Sequence, residues 1–82
     1  MPYAQVIFLS GQGRIAIGTS RQIGSIVKRN RTKRRWREAL RTLLSQVPEN
    51  LDTFIIVKPS GADFKGQSVI EAVRVILSQL RP

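Results

Sequence analysis

One helical stripe constrains the fold of this chain more than any other feature of its sequence. Apolar residues recur with the i, i+4, i+7 and i+8 spacing of an amphipathic helix, and the stripe comprises Trp36, Leu40, Leu43, Leu44 and Val47. The helix must end before Pro48, because the residue before a proline is pushed out of the α region. The sequence therefore predicts a helix at about residues 28–46 with one buried face.

A basic run, KRNRTKRRWR at residues 28–37, occupies the start of this helix. Continued backward, the apolar stripe reaches Lys33 and Arg29, whose burial would cost too much desolvation energy. We therefore expect the first turns, which begin at Lys28, to overhang the core, with Arg31, Arg34 and Arg35 on the opposite side of the helix and Arg37 near the flank. Charge on nearly every side is not the pattern of a helix that merely turns one face to solvent.

The position of these cations also favours an anionic partner. Cations near a helix N-terminus oppose the macrodipole, at a cost of about 0.3–1 kcal/mol each. Free backbone N–H groups and guanidinium forks at the same place match phosphate oxygens, so a phosphate backbone would offset that cost. Asn30 is either a helix cap or an amide that binds RNA, and Trp36 is either a core residue, which its place on the stripe favours, or a platform for base stacking.

Composition points to the same partner. The chain has 14 Lys and Arg residues against 5 Asp and Glu residues, a net charge of +9 and 41% hydrophobic residues. This composition is apolar enough for the chain to fold. The excess of positive charge favours binding to polyanions, so nucleic acid is the first partner to consider.

Several classes of protein are excluded or disfavoured by the residues that are missing. With no cysteine, the chain has neither disulfides nor thiolate metal sites, and no segment approaches the length of a membrane span, so we expect a soluble cytoplasmic protein. The chain has no histidine and its carboxylates are scattered, so we expect neither a general base that works near neutral pH nor a two-metal carboxylate cluster. We expect no catalytic residues, no metal ligands and no cofactor bound by the protein alone.

The remaining segments predict a single domain over residues 1–82. Apolar and β-branched runs indicate strands at about 3–9, 13–20 and 52–58, and a second amphipathic helix at about 67–80. The turn cluster SGQG between the first two strands suggests a β-hairpin. The order β-β-α-β-α predicts an α+β two-layer sandwich, with a small sheet packed on one face by two helices and partly open on the other.

The second strand has two very different faces. Alternation places Ile15, Ile17 and Thr19 on one side, and the small residues Ala16, Gly18 and Ser20 on the other. A face that is almost bare leaves room for a ligand to lie against the sheet.

Residues 14–41 resemble, without a gap, the signature region of the bacterial ribonuclease P protein component. The motif R-N-R-x-K-R-x-x-R stands here at residues 29–37, preceded by the pair Ser20 and Arg21 and by Gly24. The likeness continues more loosely to Lys58 and Pro59 and into the last helix. It covers nearly the whole chain.

The resemblance implies the protein subunit of a ribonucleoprotein endonuclease, ribonuclease P, which matures the 5′ ends of tRNA. The arginine-rich helix would bind the catalytic RNA subunit, with Arg21 added to the RNA-binding residues. A cleft beside the sheet would hold the 5′ leader of precursor tRNA. Catalysis would belong to the RNA and its magnesium ions, and the protein alone would not cleave. No membrane and no obligate protein partner are implied.

The family's fold also enters as an expectation. It is similar to the second domain of ribosomal protein S5, with an unusual left-handed βαβ crossover around the arginine-rich helix. Family members usually begin with a basic segment and an aromatic helix that form one wall of the leader cleft. This sequence begins at the first strand, so we expect a cleft that is incomplete or closed differently.

The residues expected in the cleft are Phe8, Ala16, Gly18, Ser20 and Lys58. Alternation groups Phe8 with Ala4 and Val6, which we expect on the same open face as Ala16 and Gly18, although an ordinary core aromatic is the alternative. Two other functions use the same basic helix: a structural RNA-binding protein of the ribosomal type, and a nuclease that works without an RNA subunit.

Overall fold

The computed structural model describes residues 2–79, which form three strands and two α-helices. In chain order these are β1 (Ala4–Ser10), β2 (Ile15–Thr19), α1 (Ile26–Thr42), a 3-10 turn (Leu44–Gln46), β3 (Leu51–Val57), a second 3-10 turn (Pro59–Gly61) and α2 (Gln67–Gln79). The predicted element order and the α+β fold class are confirmed.

The predicted β-hairpin is wrong, because β1 and β2 do not pair with each other. The sheet order is β1-β3-β2, with β1 antiparallel and β2 parallel to β3. The apolar run of β3 suits the central position, where neighbours cover both edges of the strand. Parallel strands need a crossover connection, and α1 supplies it between β2 and β3. The handedness of this crossover stays a prediction.

The SGQG segment folds over the start of β3 instead of closing a hairpin. The backbone N–H groups of Gln12 and Arg14 both donate to Oδ1 of Asp52, at 3.0 Å each, and the Arg14 guanidinium donates to Oδ2 at 2.8 Å. The Asp52 carboxylate therefore fixes this connection against β3, together with the backbone N–H of Gly11, which donates to the Asn50 carbonyl oxygen at 2.9 Å.

Both helices pack on one face of the sheet, which carries Ala4, Ile17 and Ile55. Trp36 is fully buried there, so its assignment to the core is confirmed and it offers no surface for base stacking. Its indole N–H donates to the carbonyl oxygen of Gly61 at 3.3 Å. A side chain at Gly61 would come within 2.5 Å of the Tyr3 carbonyl oxygen, so only glycine allows this close approach.

Neither helix of residues 2–79 has the length and apolar character that crossing a membrane would require.

Candidate nucleic-acid interface

The basic helix α1 begins earlier than the sequence pattern indicated, at Ile26. The hydroxyl of Ser25 caps it by accepting from the backbone N–H of Lys28 at 3.2 Å. Asn30 therefore lies inside the helix with its side chain exposed, and its interpretation as a cap is wrong. The first turn contains no acidic residue, so no side-chain anion of its own compensates the N-terminal end of the helix dipole.

The buried stripe of α1 extends one turn further than Trp36. Thr32 is 1% exposed, and its hydroxyl donates to the Lys28 carbonyl oxygen at 2.9 Å. A small side chain that satisfies its hydroxyl within its own helix can enter the core at little cost. Arg29 and Lys33, on either side of this position, are half-buried. The overhang was expected to include both residues, so the part of the helix that extends beyond the core is shorter than predicted.

The overhang is limited to the first turn, where Ile26 and Val27 are 65% and 60% exposed. The cations of the basic run follow directly on the same helix, and Arg21 is exposed in the turn before it. Arg35 differs from the exposed cations of the run in being half-buried, and one of its guanidinium N–H groups donates to the Ala62 carbonyl oxygen at 3.3 Å. The structure thus places the predicted RNA-binding side chains on α1 and on the turn that precedes it. They are Arg21, Lys28, Arg29, Asn30, Arg31, Lys33, Arg34, Arg35 and Arg37.

The sheet face opposite the helices, here called the open face, has a different composition from the one predicted. Residues paired in register share a face, and Phe8 pairs with Thr53, which in turn pairs with Ile15 on the helix side. The prediction that Phe8 shares a face with Ala16 and Gly18 is therefore wrong. It failed because it relied on alternation within each strand, and the relation between two strands depends on the strand that lies between them. Phe8 is nevertheless 55% exposed.

The aromatic residue on the open face is Phe54. It pairs with Ala16 in register, and its ring lies across Gly18, where an added Cβ would come within 2.8 Å of the ring. The small residues of β2 thus leave room for a side chain of the neighbouring strand. The sequence interpretation missed Phe54 because the apolar run of β3 is typical of a well-buried strand, yet the ring is 41% exposed.

A shallow groove of about 240 Å³ lies on this face, lined by Ile7, Leu9, Arg14, Ala16 and Phe54, among others. Of the cleft residues predicted from sequence, only Ala16 lines it, and Gly18 lies beside it beneath the Phe54 ring. Lys58 lines a separate groove with Gln5 and Gln79, and Ser20 follows the end of β2. The structure therefore does not bring these five residues together.

One carboxylate near this groove is strongly perturbed. The Arg14 guanidinium, aided by the N–H groups of Gln12 and Arg14, lowers the pKa of Asp52 from its ordinary value of 3.8 to about 2. Asp52 is thus held as an anion, which suits a role in fixing the turn and not in proton transfer. Within residues 2–79, no three carboxylates come together in a group that could hold a metal ion.

Comparison with known proteins identifies the family. The family model described as Ribonuclease P matches residues 3–81, nearly the whole chain. This chain belongs to the ribonuclease P protein family.

Two relatives illustrate how the family's sequences align with the chain. The ribonuclease P protein component of Pelotomaculum thermopropionicum is 35% identical over 69 residues, which cover 84% of this chain and 62% of that protein. The corresponding protein of Brevibacillus brevis is 46% identical over 46 residues, covering 56% of this chain and 36% of that protein. The aligned part of this chain thus spans less than two thirds of either relative.

Solved structures of family members share the fold. The ribonuclease P protein of Thermotoga maritima superposes with a TM-score of 0.84 at 23% identity, over 98% of this chain and 79% of the other. The Staphylococcus aureus ribonuclease P protein gives a TM-score of 0.81 at 20% identity, over 99% of this chain and 77% of the other.

Proposed function

We propose that this chain acts as the protein subunit of ribonuclease P, binding the catalytic RNA through the start of α1. The observation that carries the proposal is the placement of the R-N-R-x-K-R-x-x-R residues of a ribonuclease P family member on one helix whose first turn has no acidic residue. Guanidinium and ammonium groups there neutralise phosphates, and each neutralised phosphate releases a condensed counterion.

The same protein assists binding of the 5′ leader of precursor tRNA on the open face of the sheet. A single strand of RNA binds by stacking its bases on exposed aromatic rings beside a cationic track. Phe54 supplies the ring, and the Arg14 guanidinium, which pairs with Asp52 while its side chain stays 77% exposed, supplies a cation at the same groove. In this proposal Phe54 takes the role that the sequence suggested for Phe8.

Cleavage itself is assigned to the RNA subunit and its magnesium ions. The protein's contributions are charge neutralisation and positioning, which convert weak encounters into a correctly oriented complex. No residue of the chain is assigned a catalytic role.

Reconstitution tests the proposal directly. Adding the full chain to a bacterial ribonuclease P RNA should lower the magnesium concentration needed to cleave precursor tRNA, and should tighten binding of substrates that carry a 5′ leader over those that lack one. Cleavage curves measured with and without the protein provide the comparison, and the protein without RNA is the control for contaminating nuclease.

The outcomes separate the competing functions. Equal cleavage with and without the protein would contradict the proposal. RNA binding that ignores the leader would instead identify a structural RNA-binding protein of the ribosomal type, and cleavage without any RNA subunit would identify a protein nuclease.

A further inference from the structure

A second basic groove lies between the first turns of α1 and the connection that leads into α2. Its volume is about 270 Å³, and its lining includes Val27, Lys28, Arg31, Arg35, Asp63 and Lys65. Lys65 is 28 positions or more from the run on α1, and no sequence pattern connects them. Only the folded chain brings the four cations together.

The walls of this groove are held in place. Arg35 donates to the carbonyl oxygen of Ala62, and Trp36 donates to that of Gly61, each at 3.3 Å. The Phe64 ring stacks on the Trp36 ring, with centroids 6.3 Å apart. A site that is already formed loses less entropy on binding than a flexible one.

Its charge is poorly compensated from within. Asp63 is the one carboxylate in the lining, and its Oδ1 lies 3.7 Å from Lys28 Nζ, too far for a hydrogen bond. Both side chains are more than half exposed, so this ion pair is weak. The groove therefore carries four cations against one weakly engaged anion, and a phosphate group can replace that carboxylate beside Lys28.

The groove is not on the flank of α1 that carries Lys33 and Arg37. Ile26, Asn30, Lys33 and Arg37 are spaced by four, three and four residues and share one flank of the helix. Lys28, Arg31 and Arg35 are spaced by three and four residues, so they share another flank, and they line the groove. A helix with its side chains is about 10–12 Å across, so a single phosphate strand held on one flank leaves the other free.

We propose that this groove binds the sugar-phosphate backbone of a second RNA segment, so that α1 bridges two segments. The inference rests on the proposed function, because it assumes that the opposite flank holds RNA. Either the catalytic RNA or the precursor tRNA can supply a phosphate backbone, and the experiment distinguishes them by labelling each RNA in turn.

Two neighbouring side chains provide matched probe sites. The chain has no cysteine, so Val27→Cys and Ile26→Cys each give a single thiol for attaching an iron chelate that cleaves nearby RNA. Both residues are exposed, uncharged and in the first turn, but Val27 lines the groove and Ile26 lies on the flank of Asn30 and Lys33. In the reconstituted complex we expect the two probes to cleave separate sets of nucleotides.

The outcomes for the inference and for the proposed function differ. Cleavage from Ile26 with none from Val27, or cleavage of the same nucleotides from both, would overturn the second segment and leave the proposed function standing. Cleavage from neither probe would overturn both.

A charge variant gives an independent measurement. Asp63→Asn removes the competing carboxylate and should raise the affinity for the catalytic RNA or the precursor tRNA by about two- to fivefold. Glu49→Gln makes the same change in net charge outside the groove, just before β3, and is the matched control. An Asp63→Asn affinity no higher than that of Glu49→Gln would overturn the groove as an RNA site.

Discussion

Phe8 and Phe54 illustrate at the scale of single residues how register decides which side of a sheet a side chain faces. The two residues lie on neighbouring strands, one position out of step, since Phe8 pairs with Thr53 and Phe54 pairs with Ile7. A shift of one residue moves a side chain to the opposite face. Phe8 therefore lies on the helix side, and Phe54 lies on the open face over Gly18.

This difference gives the first residue-level prediction. Phe54→Ala should weaken binding of precursor tRNA with a leader by about 1–3 kcal/mol for each base that stacks on the ring, and should leave binding of leaderless tRNA unchanged. Phe8→Ala removes a ring that is more exposed, 55% against 41%, from the other face and is the control. Titration of both substrates with the reconstituted holoenzyme measures the effect, and the fluorescence of Trp36 monitors folding. A larger leader defect in Phe8→Ala would refute this assignment.

At the scale of elements, Asp52 holds the segment between the two edge strands against the central strand β3. It stands near the start of β3 and accepts two backbone N–H groups and one guanidinium from the segment between β1 and β2. A hairpin would have held that segment by pairing β1 with β2. Here the charged Asp52 side chain does much of this, beside the backbone hydrogen bond from the Gly11 N–H to the Asn50 carbonyl oxygen, so the connection is sensitive to pH.

The expected pH dependence follows from the lowered pKa of Asp52. A carboxyl group whose pKa falls on folding stabilises the native state above its unfolded pKa, and this contribution is lost as pH falls through the folded pKa. The contribution of Asp52 is therefore complete above about pH 4 and disappears towards about pH 2. Urea midpoints of the wild type and Asp52→Asn, measured by Trp36 fluorescence, should differ above pH 4 and converge towards pH 2.

Arg14→Gln tests the cause of that shift. The hydrogen bond from Arg14 is the largest influence that lowers the pKa of Asp52, so its removal should move the loss of stability to higher pH. An unchanged pH profile in this variant would show that the backbone N–H groups alone hold the carboxylate.

At the scale of the whole molecule, charge and fold are arranged so that the most basic helix is also a structural one. The same α1 contributes Trp36, Ala39 and Leu40 to the core and carries the basic run at its other end. The basic run is therefore carried by a helix whose other end is fixed in the core. In the proposed complex, the net charge of +9 would add a long-range attraction for RNA to the contacts made by the basic run.

Salt dependence separates the contacts from the net charge. Arg29→Ala, Arg34→Ala and Arg37→Ala should each lower the slope of log affinity against log salt by about one unit, because each removes one neutralised phosphate. Arg74→Ala makes the same change in net charge on α2, where Arg74 pairs with Glu71, and should leave the slope nearly unchanged. A fall as large in Arg74→Ala would mean that net charge alone controls binding.

Features that depend on residues close together in the chain follow from the amino-acid sequence by itself. The stripe that buries Trp36, the order of the elements and the basic run at a helix start are all determined by spacing over a few residues, because a helix or a strand repeats over such distances. The family motif belongs to the same class, since residues 29–37 lie on one helix. One local feature was not predicted: Thr32 extends the buried stripe of α1 by one turn. Its burial is possible because its hydroxyl donates to a carbonyl oxygen of the same helix.

Features that depend on distant segments were decided only by the tertiary structure. The central position of β3 and the face occupied by Phe54 depend on how the strands pair. The ion pair between Arg14 and Asp52 and the groove that Lys65 shares with α1 join residues far apart in the chain. Each such contact leaves almost no local signal, because the favourable energy comes from burial and pairing that exist only after the chain has closed. The basic helix was therefore visible in the sequence, whereas the two surfaces it presents were decided by what packs beside it.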